Sequence, residues 1–223
     1  MPAASHLWFP AVEQYIASVF TLQQQSEDSD IQQTQECIDA LHDLFIRAAR
    51  HAQIRDSFGD TKVYAAPFGL EVIERSKRLD TAFVLGASIE GYCLQASIPF
   101  PHLIRFMTDE FWQHIAALQT VGRAELQNDC RPDDWATSHP NRALARHSKS
   151  LVFAIARDYV LLTQTEESCD SLGTINLTLD IHSDADALFL FASTGLQHLY
   201  HAYYLLWKWN YQHKHRKMRS RVD

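Results

Sequence analysis

The chain has 223 residues, 46% of them hydrophobic and 21% charged, with 7 Gly, 7 Pro, 4 Cys and a formal net charge of -7. It is too apolar for a disordered chain, too poor in Gly and Pro for a collagen-like one, and too poor in Cys for a disulfide-rich secreted scaffold. A chain of this length buries about 70% of the surface its unfolded form exposes, so it folds without staples or metal.

The first twenty residues hold no Lys or Arg, contain Pro10 and are interrupted by Glu13, so they do not read as a secretory signal. Val12, Tyr15, Ile16, Val19 and Phe20 fall on one helical face just after Pro10. The polar residues Gln23 to Asp30 read as a loop, and Asp30 with Gln33 resembles a capping box opening a long helix through Ile38, Leu41, Phe45, Ala48 and Ala52. The stretch from Ser57 to Asp60 stops that helix, Thr61 to Pro67 looks irregular, and Leu70 to Arg78 looks like a brief helix. Thr81 to Ser97 is apolar nearly all round, which predicts a central buried helix ended by Pro99 and Pro101.

A further helix is expected from His102 to Thr120, with Leu103, Met107, Phe111, Ile115 and Leu118 on one side. Gly122 to His139 is a long polar connection containing Pro132 and Trp135. Pro140 starts a helix to about Gln164. Ile175, Leu177, Leu179 and Ile181 alternate with Asn176, Thr178 and Asp180, the one clear strand signal. Ser183 with Asp186 forms another capping-box pattern ahead of a last helix that runs into a basic tail. The most apolar stretch, Ala185 to Trp209, carries Asp186, Gln197, His198, His201 and Lys208, so it reads as a buried helix rather than a membrane span. The expected architecture is all-α: a single-domain, bundle-like array of helices over residues 1–210, with a buried central helix, at most one short strand or hairpin, and a basic tail at 211–223.

Charge is unevenly spread. From Lys208 onward there are six bases (Lys208, Lys214, Arg216, Lys217, Arg219, Arg221) and one acid, a net of +5, which leaves -12 on the first 207 residues. An acidic body repels polyanions, so non-specific wrapping of nucleic acid is disfavoured, while the six tail bases are the candidate contacts for a partner. Cys37, Cys93, Cys130 and Cys169 lie 56, 37 and 39 residues apart, with no spacing that suggests zinc or a redox dithiol. They read as free thiols in a reducing, intracellular (cytoplasmic) setting, with no cofactor.

The segment RALARH carries Arg142 and His147 at the start of an amphipathic pattern. An Arg and a His at one helix start can hold a phosphate and move a proton. Their spacing resembles the Arg-x4–6-His signature of HEPN-domain ribonucleases, and LGASIEGYCL around Glu90 is similar to the buried central helix of that family. The resemblance implies an all-α homodimer cleaving RNA without metal through Arg142 and His147. The chain departs from the family pattern at Ala143, where a polar residue usually stands.

His42-Asp43 resembles the metal-binding pair of HD phosphohydrolases, but only His6 could supply their upstream His, so the pair reads as the polar edge of a helix. Glu110 with His114, and His198 with His201, have helical spacings that put two side chains on one face. No Glu-x-x-His motif accompanies them; Asp39-x-x-His42 is the nearest approach, and no metal is expected. A Gly-x-Ser-x-Gly elbow, a phosphate loop and a dinucleotide fingerprint are all absent. The last segment, HAYYLLWKWNYQHKHRKMR, interleaves aromatics with bases, either as a surface for RNA or an acidic membrane face, or as a packed helix with cations at its C-terminus. Taken together, the residues predict a non-enzymatic interaction protein with an acidic body and a basic tail. Its partner is a protein, with RNA or an acidic surface as the tail's other option, and homo-oligomerisation is compatible with the sequence. The HEPN-like ribonuclease is the rival.

Overall fold

A computed structural model describes residues 6–20, 27–66, 69–79, 81–127, 150–164 and 171–219. The order of elements is α1 (Phe9–Phe20), α2 (Glu27–His51), β1 (Phe58–Ala66), β2 (Gly69–Ser76), β3 (Ala82–Ser88), β4 (Gly91–Pro99), a 3-10 helix (Pro101–Phe106), α3 (Asp109–Val121), β5 (Arg123–Gln127), α4 (Leu151–Gln164), β6 (Ser171–Leu179) and α5 (Ala185–Arg219). The strands form one six-stranded antiparallel sheet in the order β1-β2-β3-β4-β6-β5. The fold is therefore α+β. The all-α, bundle-like expectation is wrong, and so is the limit of one short strand or hairpin.

The largest correction is at Thr81 to Ser97, which is not a central helix but the β3–β4 hairpin. Its burial alternates along β3 and β4 instead of running around a helix. Ala and Gly fill several positions between the large side chains, so a strand pair reads in sequence as a continuously apolar run. Leu70 to Arg78 is likewise β2 rather than a brief helix: Leu70, Val72, Glu74 and Ser76 point inward in strict alternation. Two of those inward residues are polar, which disguises the strand period. Both are satisfied. The Glu74 carboxylate pairs with His42 Nδ1 at 2.6 Å and accepts from the Thr61 hydroxyl at 3.2 Å. Ser76 Oγ donates to Asp56 and accepts from the Leu79 amide.

β1, read as irregular, is an edge strand whose register against β2 shifts between Gly59 and Lys62 and then places Val63 opposite Val72. The expected helix from His102 to Thr120 is split into the 3-10 helix and α3, with Phe111, Ile115 and Leu118 buried as their spacing implies. β5 lies at the start of the expected long connection, and the expected strand near Ile175 is β6. The helix caps also differ. α2 opens at Glu27, so Asp30 falls inside it, and α5 is capped by Asp184, whose Oδ1 accepts from the Ala187 amide at 2.8 Å.

The chain divides into two compact units, Met1–Gln95 with Thr178–Gln197, and Ala96–Leu177 with His198–Asp223. In the first, α2 lies against β2 and β3. It presents a fully buried stripe of Cys37, Leu41, Leu44, Phe45 and Ala48, spaced so that all five share one helical face. α1 covers α2 with Val12, Tyr15 and Ile16. Burial pushes the Cys37 thiol up to about 12 and, with help from nearby Glu71, the Cys93 thiol to about 12. Only the thiolate is nucleophilic. Cys37 is therefore expected to ignore a thiol reagent in the native protein and to react at the global unfolding rate, as mass-resolved labelling checks; rapid native labelling of Cys37 would show that α2 is not seated on the sheet. In the second unit, α3 packs with α4 and β5, and the fully buried Tyr203 of α5 donates its hydroxyl to the Ala96 carbonyl at 2.7 Å.

Candidate functional site

The chemistry-bearing side chains of the second unit gather along α5. Leu199, Ala202, Tyr203 and Leu206 form its buried stripe, and Leu206 is the last of them. Continuing that stripe at helical spacing gives Asn210, His213 and Lys217, none of which is an apolar anchor. The helix nonetheless runs on to Arg219.

Two rows of rings flank the point where the stripe ends. Tyr204, Trp207 and Tyr211 form a ladder, with centroids 5.6 and 5.5 Å apart and planes 28° and 24° from parallel. On the other side Trp209 stacks on Phe106 of the 3-10 helix at 4.8 Å and 10°, and lies 6.2 Å from the His213 ring. The Arg105 guanidinium sits 4.6 Å over Phe106, a cation–π contact that brings a base beside the rings. Lys208 is exposed, as are Tyr211 and His213.

One turn or two before this aromatic region lies a histidine cluster. His198 and His201 share a face of α5, and His114 of α3 meets both: its Nδ1 is 3.0 Å from His198 Nδ1, and its ring stacks on His201 with centroids 5.3 Å apart and planes 15° from parallel. Partial burial holds both His114 and His198 below the ordinary imidazole value. Neighbouring imidazoles add to this (His201 for His114; His114 and His201 for His198), and Glu110 opposes it at His114. The i,i+3 and i,i+4 spacings were visible in sequence. The meeting of α3 with α5, across 84 residues, was not.

Of the sequence candidates, Lys208 is exposed on α5, and Lys214, Arg216, Lys217 and Arg219 occupy its last turns. Arg221, Arg142 and His147 lie outside the described residues. The HEPN resemblance loses its structural footing here, since LGASIEGYCL is a β-hairpin and Glu90 an exposed turn residue. His42 and Asp43 turn to different partners, His42 to Glu74 and Asp43 to Arg47 at 2.7 Å, so no HD-type pair forms. Among the described residues no group of three or more His, Cys, Asp or Glu side chains is placed to hold a metal ion, and no helix is long and apolar enough to cross a membrane. No family model, no curated protein and no solved structure matches the chain.

Proposed function

We propose that the protein is a non-enzymatic interaction protein, and that the part of α5 beyond Leu206 docks an acidic segment of a protein partner. The observation that carries this reading is that, among the side chains described, Leu206 is the last buried one on α5, while the helix runs on to Arg219 past stacked Trp and Tyr rings and the exposed Lys208, Tyr211 and His213. A helical stretch that short, whose rings are only part-buried or exposed, gains little from the core and is marginal in water. A partner laid across the ring rows supplies what the core does not. Trp, Tyr and Arg are the residue types that dominate interface energetics, and the tail's +5 selects an acidic face.

RNA is the weaker occupant on two counts. Base stacking needs open ring faces, and here the ladder rings spend faces on one another while Trp209 covers Phe106. The acidic body also repels a polyphosphate.

The test compares the full chain with a form ending at Asn210, and with Trp207→Ala, against three probes: a synthetic amphipathic Glu/Leu peptide, single-stranded oligouridylate, and phosphatidylserine vesicles. The truncated form is expected to keep its far-UV circular dichroism and urea midpoint but to bind the peptide about tenfold or more weaker, since five of the six tail bases are gone. Peptide binding should also weaken with salt, because the charges are exposed. Equal peptide binding by truncated and full-length protein, or stronger tail-dependent binding of RNA or vesicles, would overturn the assignment.

A further inference from the structure

We infer that His114, His198 and His201 form an acid-sensitive latch that fastens α5 to α3. The latch stands on geometry within the second unit and is tested in the free protein. Only its consequence, control over the seat of the docking helix, rests on the function proposed above.

The two Nδ1 atoms of His114 and His198 face each other at 3.0 Å. Between them there is room for one proton. With both rings neutral, one Nδ1–H donates and the other Nδ1 accepts. With one ring protonated, the same bond persists and becomes charge-assisted. With both protonated, two N–H donors and two positive charges confront each other, and the rings have to part. His201, stacked on His114 at 5.3 Å, adds a third imidazole whose protonation pushes in the same direction.

The surroundings offer little relief. Among the described residues the charged groups that act on the pair are Glu110, one turn ahead of His114 on α3, and His201 on α5. Glu110 is exposed, so water screens it. The other elements packed on α3 carry their own pairs, Arg157 with Asp158 on α4 and Arg123 with Glu125 on β5. Both imidazoles of the pair titrate below the ordinary value, and burial is the first cause for each.

The direction of the effect follows. Groups held below their unfolded pKa bind fewer protons in the native state than in the unfolded one as acid is added. Their contribution is therefore fully present above the unfolded imidazole value of about 6.5 and is lost as the pH falls through the lowered folded values. Acid loosens the α3–α5 seam, and because two strongly interacting sites titrate in two steps, the loosening follows the second proton.

The experiment is a histidine ring titration by NMR on the full chain, with urea midpoints measured at about pH 7.5 and about pH 5.5. In the wild type the His114 and His198 rings are expected to titrate as a coupled pair, in two proton-binding steps at least about tenfold apart, both below the ordinary imidazole value. In His198→Asn, which keeps a polar group near the Nδ1 position and cannot titrate, His114 should take up its proton in one step nearer the ordinary value. The fall in urea midpoint between the two pH values should shrink by about half or more, because one member of the coupled pair is gone. Two independent single-step titrations near the ordinary value in the wild type would overturn the latch, and that arm needs no variant to fold. An unchanged acid-induced fall in His198→Asn would overturn it as well. Failure of the peptide-binding test leaves both readouts standing, so the two proposals fail separately.

Discussion

Gly91→Ala is expected to destabilise the protein by about 3 kcal/mol, the sum of roughly 1–3 kcal/mol of backbone strain and a comparable packing penalty. Gly91 follows the two-residue turn of the β3–β4 hairpin with φ at +137°, a region that L side chains rarely adopt. A Cβ there would sit well inside contact distance of the Leu179 carbonyl, which is backbone and cannot swing aside. The turn is further tied by Ser88, whose Oγ donates to the Gly91 carbonyl and accepts from the Glu90 amide, both at 3.2 Å, so the strain has no easy exit. In a chain of this size the loss corresponds to a melting-temperature drop of about 6–12 °C. Gly59→Ala is the control. Its Cβ would meet only the flexible end of Lys77, with Cε 3.1 Å away, and the change should cost less than about 1 kcal/mol. Denaturant midpoints of the two variants decide the matter; equal values would mean that the hairpin turn is not built as described.

That hairpin also shows why the fold class was misread. Thr81 to Ser97 contains only three β-branched residues, Thr81, Val84 and Ile89, and small residues stand at 82, 86, 87, 91 and 96. Ala and Leu favour helix when nothing else decides. The less buried face carries Ala82, Val84 and Cys93, so over most of the hairpin no polar alternation reveals the strands. The one local clue was Ser88-Ile89-Glu90-Gly91, a polar break closed by a Gly that takes φ +137° as the chain leaves the turn. β6 was legible because Asn176 and Thr178 interrupt its apolar residues at the strand period. β2 was not, because Glu74 and Ser76 take inward places that the pattern reserves for apolar side chains. Those places are tolerable only because His42, Thr61 and Asp56 arrive from elsewhere in the chain to satisfy them.

The same division runs through the candidate site. Aromatic and basic residues interleave within one segment, so the character of the α5 surface was readable from local spacing. The histidine cluster needed knowledge of which helices meet, and that is fixed by the α3 stripe of Phe111, Ile115 and Leu118 finding its place in the core. The ring contacts of His114 with His198 and His201 then form without any sequence motif.

Phe45→Ala is expected to cost about 3–5 kcal/mol, the range for removing a fully buried aromatic. Phe45 is fully buried on α2 and meets Phe58 of β1 edge-on, with centroids 5.0 Å apart and planes at 85°. Phe58 in turn meets Phe83 of β3 edge-on at 6.2 Å. Such edge-to-face pairs add about 0.5–1.5 kcal/mol to the area they bury. The three rings thus link a helix to two strands that are not neighbours, since β2 lies between β1 and β3. Truncating Phe45 leaves a cavity under the helix and strips Phe58, itself only half-buried on an edge strand, of one of its ring partners. Phe45→Leu should recover about half of the loss or more, because it restores most of the volume without the ring geometry. The discriminating comparison is His42→Ala, on the flank of the same helix. It deletes no core volume but leaves the buried Glu74 carboxylate, among the described residues, with the Thr61 hydroxyl as its remaining side-chain partner, a cost of about 1–3 kcal/mol. Phe45→Ala exceeding His42→Ala in a urea series is the expected order. The reverse order would mean that the polar joint between α2 and β2, rather than the apolar one, seats the helix on the sheet.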